Sequence, residues 1–264
     1  MSDPSVPQLR QWFEQAQAFA QDKWRSVLAP QQCVGCGYAG EWLCADCRLT
    51  VQRLPQPICP QCGYPQAHSL QHSACKFCRR YGQLLLNVRS YAFHEGCLRQ
   101  AVLALKFKGK SNIAPFLGAW LASVLPAERP ENAILVPVPL SEQRLKERGY
   151  NQAELLAKPV AARHRLPLQP DALRRVRTTQ AQSRLTQFER QHNTAGAFVA
   201  QPAILAKRTV ILVDDVCTTG ATLTACAQAC RLAGASAVWA ITLTRAKNPW
   251  QEIQPQPPSE GALL

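Results

Sequence analysis

The stretch 210-VILVDDVCTTGAT-222 joins an apolar, β-branched run, Val210 to Val213, to two adjacent acids, Asp214 and Asp215, and then to a short polar segment containing Gly220. Such an apolar run reads as a buried strand, and Ala221 to Ala233, closed by Gly234, reads as the helix that follows it. Neighbouring side chains of an extended chain point to opposite faces, so two successive acids in a continuing strand would bury one charge at a cost of several kcal/mol. The strand is therefore expected to stop at Val213, with Asp214 and Asp215 at its carboxyl end. The segment after them offers backbone N–H groups, small hydroxyls and a helix N-terminus, which together make a nest for a monophosphate. Two acids beside such a nest suit a ribose 5-phosphate, whose vicinal hydroxyls need acceptors. Capping of the helix by Thr218 or Thr219 is the alternative, but a cap needs one oxygen and explains neither the second acid nor the glycine.

Outward from this motif, Ala133 to Leu140 and Ala237 to Leu243 read as further strands. Ala101 to Phe107, Ile113 to Leu125 and Gln152 to Ala162 read as helices. Strand, helix, strand in that order predicts right-handed βαβ units, hence an α/β fold with a parallel sheet flanked by helices on both faces. Ligands of such sheets lie at the carboxyl ends of the strands, where the two acids stand.

The 264-residue chain is long enough for one sizeable α/β domain and a smaller module, and 47% hydrophobic with 18% charged residues excludes wholesale disorder. Its net charge is +13, and 22 of the basic against 12 of the acidic side chains lie after residue 80, which points to a phosphorylated partner by sign only. The longest apolar stretch, near Ala114 to Leu125, falls short of the roughly 20 residues of a membrane span. Asp3, Arg10, Glu14, Asp22, Lys23 and Arg25 interrupt any secretory leader, so a cytoplasmic location without membrane insertion is expected.

In a reducing compartment the 12 cysteines call for something other than disulfides. Eight form four CxxC pairs: Cys33/Cys36, Cys44/Cys47, Cys59/Cys62 and Cys75/Cys78. Two such pairs complete a tetrahedral site, so the set suits two structural zinc ions, with glycine after the second cysteine easing the turn in CVGCG and CPQCG. Sequential pairing is favoured over interleaving because Pro55 and Pro57 lie in a spacer between the second and third pairs. His68 and His72 could substitute for a ligand, although four thiolates already suffice. A closed thiolate shell leaves no position for water, so the zinc is read as structural rather than catalytic. Ahead of the module, apolar residues from Leu9 to Leu28 recur at helical spacing and read as one amphipathic helix.

VILVDDVCTTGAT closely resembles the phosphoribosyl-pyrophosphate (PRPP) signature of the type I phosphoribosyltransferases. With LKFKGKSNIAPFLGAWLA, ILVPVPLSEQRLKERGYNQAELLA, LRRVRTTQAQSRLTQFERQHNTAGAF and the preceding paired CxxC knuckles, the chain resembles the ComF family over roughly residues 33–245. The resemblance implies a phosphoribosyltransferase-like domain at 81–247 behind a double zinc ribbon at 31–80; outside it lie the amphipathic helix at 1–30 and a Pro- and Gln-containing tail at 248–264, whose composition reads as disordered. It implies that Asp214 and Asp215 bind the ribose hydroxyls, and that Val213, Cys217, Thr218, Thr219, Gly220, Ala221 and Thr222 form the 5-phosphate loop.

A separate loop in such enzymes carries the pyrophosphate, with magnesium neutralising its oxygens. Here that loop is PVPLSEQRLKERGYNQ with Arg144, Lys146 and Arg148, whose forked guanidinium groups suit phosphate. A solvated helix face partnered by Glu142 and Glu147 is the alternative for these three. The basic segment Arg174 to Asn193 resembles the loop that closes over the site, with Thr179, Gln180, Arg184, Arg190 and Asn193 as its candidate contacts. Cys217 is read as a small apolar filler rather than a nucleophile, and three of Cys97, Cys217, Cys226 and Cys230 as fillers on helices.

Two functions follow from the resemblance: a magnesium-dependent PRPP transferase with an unidentified acceptor, linked to competence and DNA uptake or utilisation, or a non-enzymatic PRPP sensor or single-stranded DNA-binding competence protein with a relict pocket. The resemblance makes competence-machinery proteins and single-stranded DNA the expected candidate partners beside PRPP. Lys106-Phe107-Lys108 and Lys76-Phe77 alternate charge and aromatic ring in a way compatible with base stacking.

Overall fold

The computed structural model describes residues 31–66, Cys75, Cys78, 87–176 and 196–247. The expected helix at 1–30, His68, His72, Lys76-Phe77, the contacts Thr179, Gln180, Arg184, Arg190 and Asn193, and the tail at 248–264 lie outside the described residues.

In chain order the elements are α1 (Ala45–Leu49), β1 (Asn87–Phe93), α2 (Gly96–Phe107), α3 (Ala114–Ala122), β2 (Ala133–Pro137), α4 (Glu142–Arg148), α5 (Gln152–His164), β3 (Leu173–Arg175), β4 (Phe198–Ala200), α6 (Pro202–Leu205), β5 (Thr209–Cys217), α7 (Ala221–Leu232) and β6 (Ala237–Arg245). Four strands form one sheet in the order β1-β6-β5-β2, with every pair parallel. The parallel α/β architecture expected from the alternation of strands and helices is thus present. β1, which carries only weak alternation, and the short antiparallel pair β3/β4 were not read from the sequence.

Both sheet faces are covered, which is why β2 is buried along its whole length and reads as a continuous apolar run. Ile211 and Val213 of β5 pack with Leu98, Leu105, Leu117 and Leu156 from α2, α3 and α5. Val210 and Leu212 face the other way, against Leu223, Cys226 and Cys230 of α7. Helices α3 and α5 approach closely at Gly118, where a Cβ would lie 2.6 Å from Pro159 Cγ and 2.8 Å from the Leu156 carbonyl oxygen.

Strand β5 does not stop at Val213. It continues through both acids to Cys217, with Asp214 opposite Thr242, Val216 opposite Thr244 and Cys217 opposite Arg245 on β6. The cost expected for burying one acid is real, since Asp215 is 2% exposed, and it is offset by a cation from another element. The segment expected as a pyrophosphate loop likewise has helix α4 at its centre, because Ser141 Oγ accepts from the Arg144 N–H and Gly149 closes the helix at φ +76°. Arg174 and Arg175, expected in an irregular loop, belong to β3, which pairs antiparallel with β4.

The cysteine module packs along the β1 edge of the sheet. Phe93 N–H donates to Gln52 O at 2.9 Å, Val88 N–H donates to Gln61 O at 2.8 Å, and the Arg53 guanidinium lies 4.2 Å from the Tyr91 ring centroid. Cys97 Sγ on α2 donates to Cys47 O at 3.0 Å. The module therefore shares its interior with the large domain.

Candidate functional site

Asp215 faces helix α2, where its Oδ1 lies 2.8 Å from Lys106 Nζ. Its Oδ2 is buried and has no hydrogen-bond partner among the described residues. Asp214 points to the α7 side, remains partly exposed, and accepts the Asp215 N–H on Oδ1 at 2.8 Å. Burial and the neighbouring Asp215 charge push the Asp214 carboxyl well above the usual range, to about 7, against the opposing pull of Lys106. Of the two acids, Asp214 is the one a ligand can reach.

Beyond Cys217 the chain turns through Thr218, which is exposed, Thr219 and Gly220. Gly220 is the N-cap of α7 at φ +83°, in the left-handed region that glycine adopts freely. No side chain caps the helix at this residue; the one hydroxyl bond nearby is from Ala221 N–H to Thr219 Oγ1, long at 3.4 Å. The capping alternative therefore does not account for the hydroxyls, and the first turn of a 12-residue helix presents N–H groups at the end of β5. Ala221 and Thr222 belong to that turn. Val213 is fully buried and lends the site its backbone, its carbonyl accepting from Val138 N–H at 2.9 Å.

Cys217 ends β5 and is 1% exposed. Burial pushes its thiol pKa up, with Arg245 opposing, so the helix N-terminus does not activate it and the filler reading holds.

Beside Lys106 a cleft of about 380 Å³ opens, lined also by Phe107, Arg144, Arg148 and Tyr150. Two of the three basic residues expected for pyrophosphate thus line one cavity with the cation that holds Asp215. Lys146, on the same helix, does not, because two residues along α4 turn it to another face. Arg148 stacks on the exposed Phe107 ring at 4.9 Å and donates to Gln152 Oε1 at 2.8 Å. No ion pair among the described residues joins Glu142 or Glu147 to these cations, although the helix face is solvated, with residues 142–147 all exposed.

A polar ladder backs the acids. Ser90 and Thr242 hydroxyls lie 2.6 Å apart, Thr242 Oγ1 donates to Thr244 O at 3.1 Å, and Thr244 Oγ1 donates to Asp215 O at 3.2 Å. Since that donation uses the single proton of Thr244, His94 Nδ1, 2.9 Å away, must itself donate to Thr244 Oγ1, which leaves Nε2 as the ring's acceptor. Burial, reinforced by Lys106 and Arg99 and opposed by Asp215, lowers the His94 pKa. Lys106, read earlier only as half of a charge–aromatic alternation, His94 and Arg245 are the site residues that sequence reasoning missed. The buried second acid was the one signal available, because it demanded a cation without saying which.

The cysteines resolve into two groups, Cys33/Cys36/Cys44/Cys47 and Cys59/Cys62/Cys75/Cys78, each with its four sulfurs within 4.8 Å of one another. Pairing is sequential. The two knuckles repeat one geometry: Gly37 N–H donates to Cys33 O at 2.8 Å and Gly63 N–H to Cys59 O at 2.9 Å, with both glycines at positive φ, +82° and +67°. Backbone N–H groups also reach sulfur, Cys44 to Cys33 Sγ and Cys78 to Cys75 Sγ, each at 3.4 Å. Two converging sets of four thiols match the tetrahedral thiolate shell of structural zinc. Cys97, Cys226 and Cys230 are buried on α2 and α7 as fillers.

The fold and these two sites define a class: a parallel α/β domain whose strand β5 carries paired acids near its carboxyl end, ahead of a glycine-opened helix, fused to a double Cys₄ module. Residues 25–85 match the family model described as a double zinc ribbon domain. The DNA utilization protein YhgH of Escherichia coli K12 is 35% identical over 215 residues, covering 78% of this chain and 92% of that protein. Competence protein ComFC of Bacillus subtilis is 30% identical over 197 residues, covering 69% and 75%. Competence protein F of Haemophilus influenzae is 29% identical over 211 residues, covering 77% and 90%. The chain belongs to the ComF family of competence and DNA-utilization proteins. Among solved structures, the allosteric regulatory enzyme of purine biosynthesis overlaps 50% of this chain and 25% of its own length, at 20% identity and a TM-score of 0.34. No helix among the described residues is long and apolar enough to cross a membrane.

Proposed function

We propose that the carboxyl ends of β2, β5 and β6 form a PRPP site and that the protein is a magnesium-dependent phosphoribosyltransferase serving competence or DNA utilisation. The observation that most supports this reading is the division of labour between the two acids. Asp215 is buried against Lys106, whereas Asp214 stays accessible beside the uncapped first turn of α7. In this reading the α7 N-terminus and the Thr218 and Thr219 hydroxyls take the 5-phosphate, and Asp214 accepts hydrogen bonds from the ribose hydroxyls. The pyrophosphate lies toward Arg144 and Arg148, and Lys106 reaches both its oxygens and Asp215. Magnesium, arriving with the pyrophosphate, would neutralise its oxygens, with Asp214 the protein carboxylate open to it.

Titration of PRPP by calorimetry, with and without magnesium, on the wild type and on D214N and D215N tests this. Binding that needs magnesium and is lost in D214N is expected, and an absence of binding under every condition would remove the reading.

The second reading is single-stranded DNA binding at the same cleft, favoured by Phe107, 69% exposed, with Arg148 stacked on it between Lys106 and Lys108. The names of the relatives, DNA utilization and competence, agree with either reading. Binding of single-stranded DNA that weakens steeply with salt and is lost in F107A distinguishes this reading; a response flat in salt opposes it.

A further inference from the structure

Arg245 closes strand β6 with its side chain fully buried, at 0% exposure. Among the described residues no carboxylate pairs with it. One nitrogen, Nη1, donates to the Cys62 carbonyl and lies 3.6 Å from Cys217 Sγ. Nε and Nη2 are buried without a hydrogen-bond partner, and the guanidinium lies over the Tyr64 ring at 5.5 Å. A guanidinium placed this way costs several kcal/mol unless a negative charge is near.

The contact with the Cys62 carbonyl points to the second cysteine cluster as the source of such charge. A zinc ion held by four thiolates carries a net double negative charge, and Cys62, whose carbonyl Arg245 touches, is one of the ligands. Arg89 of β1 meets the same knuckle from the sheet edge: its Nη1 donates to Pro60 O at 3.0 Å, between ligands Cys59 and Cys62, and to Val88 O at 2.9 Å. Two arginines from the sheet therefore stand against one dianionic centre. Among the described residues the first cluster has no such arrangement, since its neighbour Arg48 pairs with Glu41 and its side chain is 38% exposed.

We propose that Arg245 and Arg89 are the counter-charges of the second zinc centre, so that the sheet, and not the ribbon alone, holds that ion. Both are positioning residues, acting on the metal through its thiolates. The two zinc ions are then held unequally by design of the fold, although their ligands are the same.

Zinc transfer to a chromophoric chelator from the zinc-loaded full chain tests this, with thiol alkylation and mass spectrometry assigning each ion to its four cysteines. R245M and R89M are each expected to release the zinc of Cys59/Cys62/Cys75/Cys78 about 10–100-fold faster, as partners of metal ligands do when removed. The other zinc should leave at its wild-type rate, and R245K should recover most of the loss. Where R245M does not fold, R89M, whose side chain is only partly buried, decides the matter. Wild-type release of both ions in these variants, or equal acceleration of both, overturns the proposal.

Discussion

Lys106 Nζ lies 2.8 Å from Asp215 Oδ1, and with side-chain exposures of 20% and 3% this is the most buried ion pair among the described residues. It joins the last turn of α2 to strand β5 at the point where the strand carries two acids in succession. Removing one partner of such a pair leaves the other charge uncompensated. K106M is expected to lower unfolding stability by about 3 kcal/mol. D215N should cost less, because the freed ammonium reaches solvent, and K106M/D215N should recover most of the loss. Urea denaturation of the three variants checks this; additive losses would show that the pair is not coupled.

Asp214 gives a pH signature. Its carboxyl is raised to about 7 chiefly by burial, so between the unfolded value near 4 and about 7 the folded protein binds more protons than the unfolded one. Stability contributed by this group is present at low pH and declines as pH rises through that window. D214N removes the decline. Its stability relative to wild type should grow from pH 5 to pH 7.5, reaching about 1 kcal/mol once the partial exposure of the carboxylate is discounted. A stability difference between the two that stays constant across this range would contradict the raised pKa.

Arg144 and Lys146 share helix α4 and its charge, yet only Arg144 lines the cleft beside Lys106. R144A is expected to weaken inorganic pyrophosphate binding by about 10-fold, the worth of one hydrogen bond to a charged group, whereas K146A should change it by less than about two-fold. Isothermal titration at fixed salt separates local contact from general charge, and equal losses would favour the latter.

Gly63 lies where the second knuckle meets the sheet. At φ +67° a Cβ would sit 2.1 Å from the Val88 carbonyl oxygen, which is backbone and cannot swing aside. G63A is expected to destabilise the protein by about 2 kcal/mol or more, and to loosen the seating of the knuckle on β1. Hydrogen exchange at Val88, whose N–H donates to Gln61 O at 2.8 Å, reports that contact directly. G37A, where a Cβ would meet nothing within 4 Å, carries only the conformational cost and should leave it unchanged.

Spacing and local pattern carried most of the architecture. The alternation of apolar strands and helices determined the parallel sheet, and α2, α3, α5 and α7 each begin or end within a few residues of where their period placed them, except that α2 starts at Gly96, ahead of Ala101; the short helices α1, α4 and α6 show no such period and were not read from it. The four CxxC pairs determined two thiolate sites, because short-range geometry alone brings two sulfurs of each pair together. The run from Val210 to Thr222 determined that acids, hydroxyls and a helix N-terminus would meet at one strand end, since all three are contiguous in the chain.

Other features depended on residues distant in sequence. Whether β5 stops or continues at Asp214 turned on Lys106, more than 100 residues earlier, whose ammonium makes a buried carboxylate tolerable within the strand. Which member of Arg144-Leu145-Lys146 lines the cleft turned on how α4 is rotated against α2. That Arg245 meets the Cys62 carbonyl and the Tyr64 ring, and no carboxylate among the described residues, turned on the cysteine module docking along β1. Local sequence determines which groups are close along the chain. The sign of the environment around a buried charge is decided by what the tertiary fold packs against it, because in a low-dielectric interior only contact partners offset its desolvation.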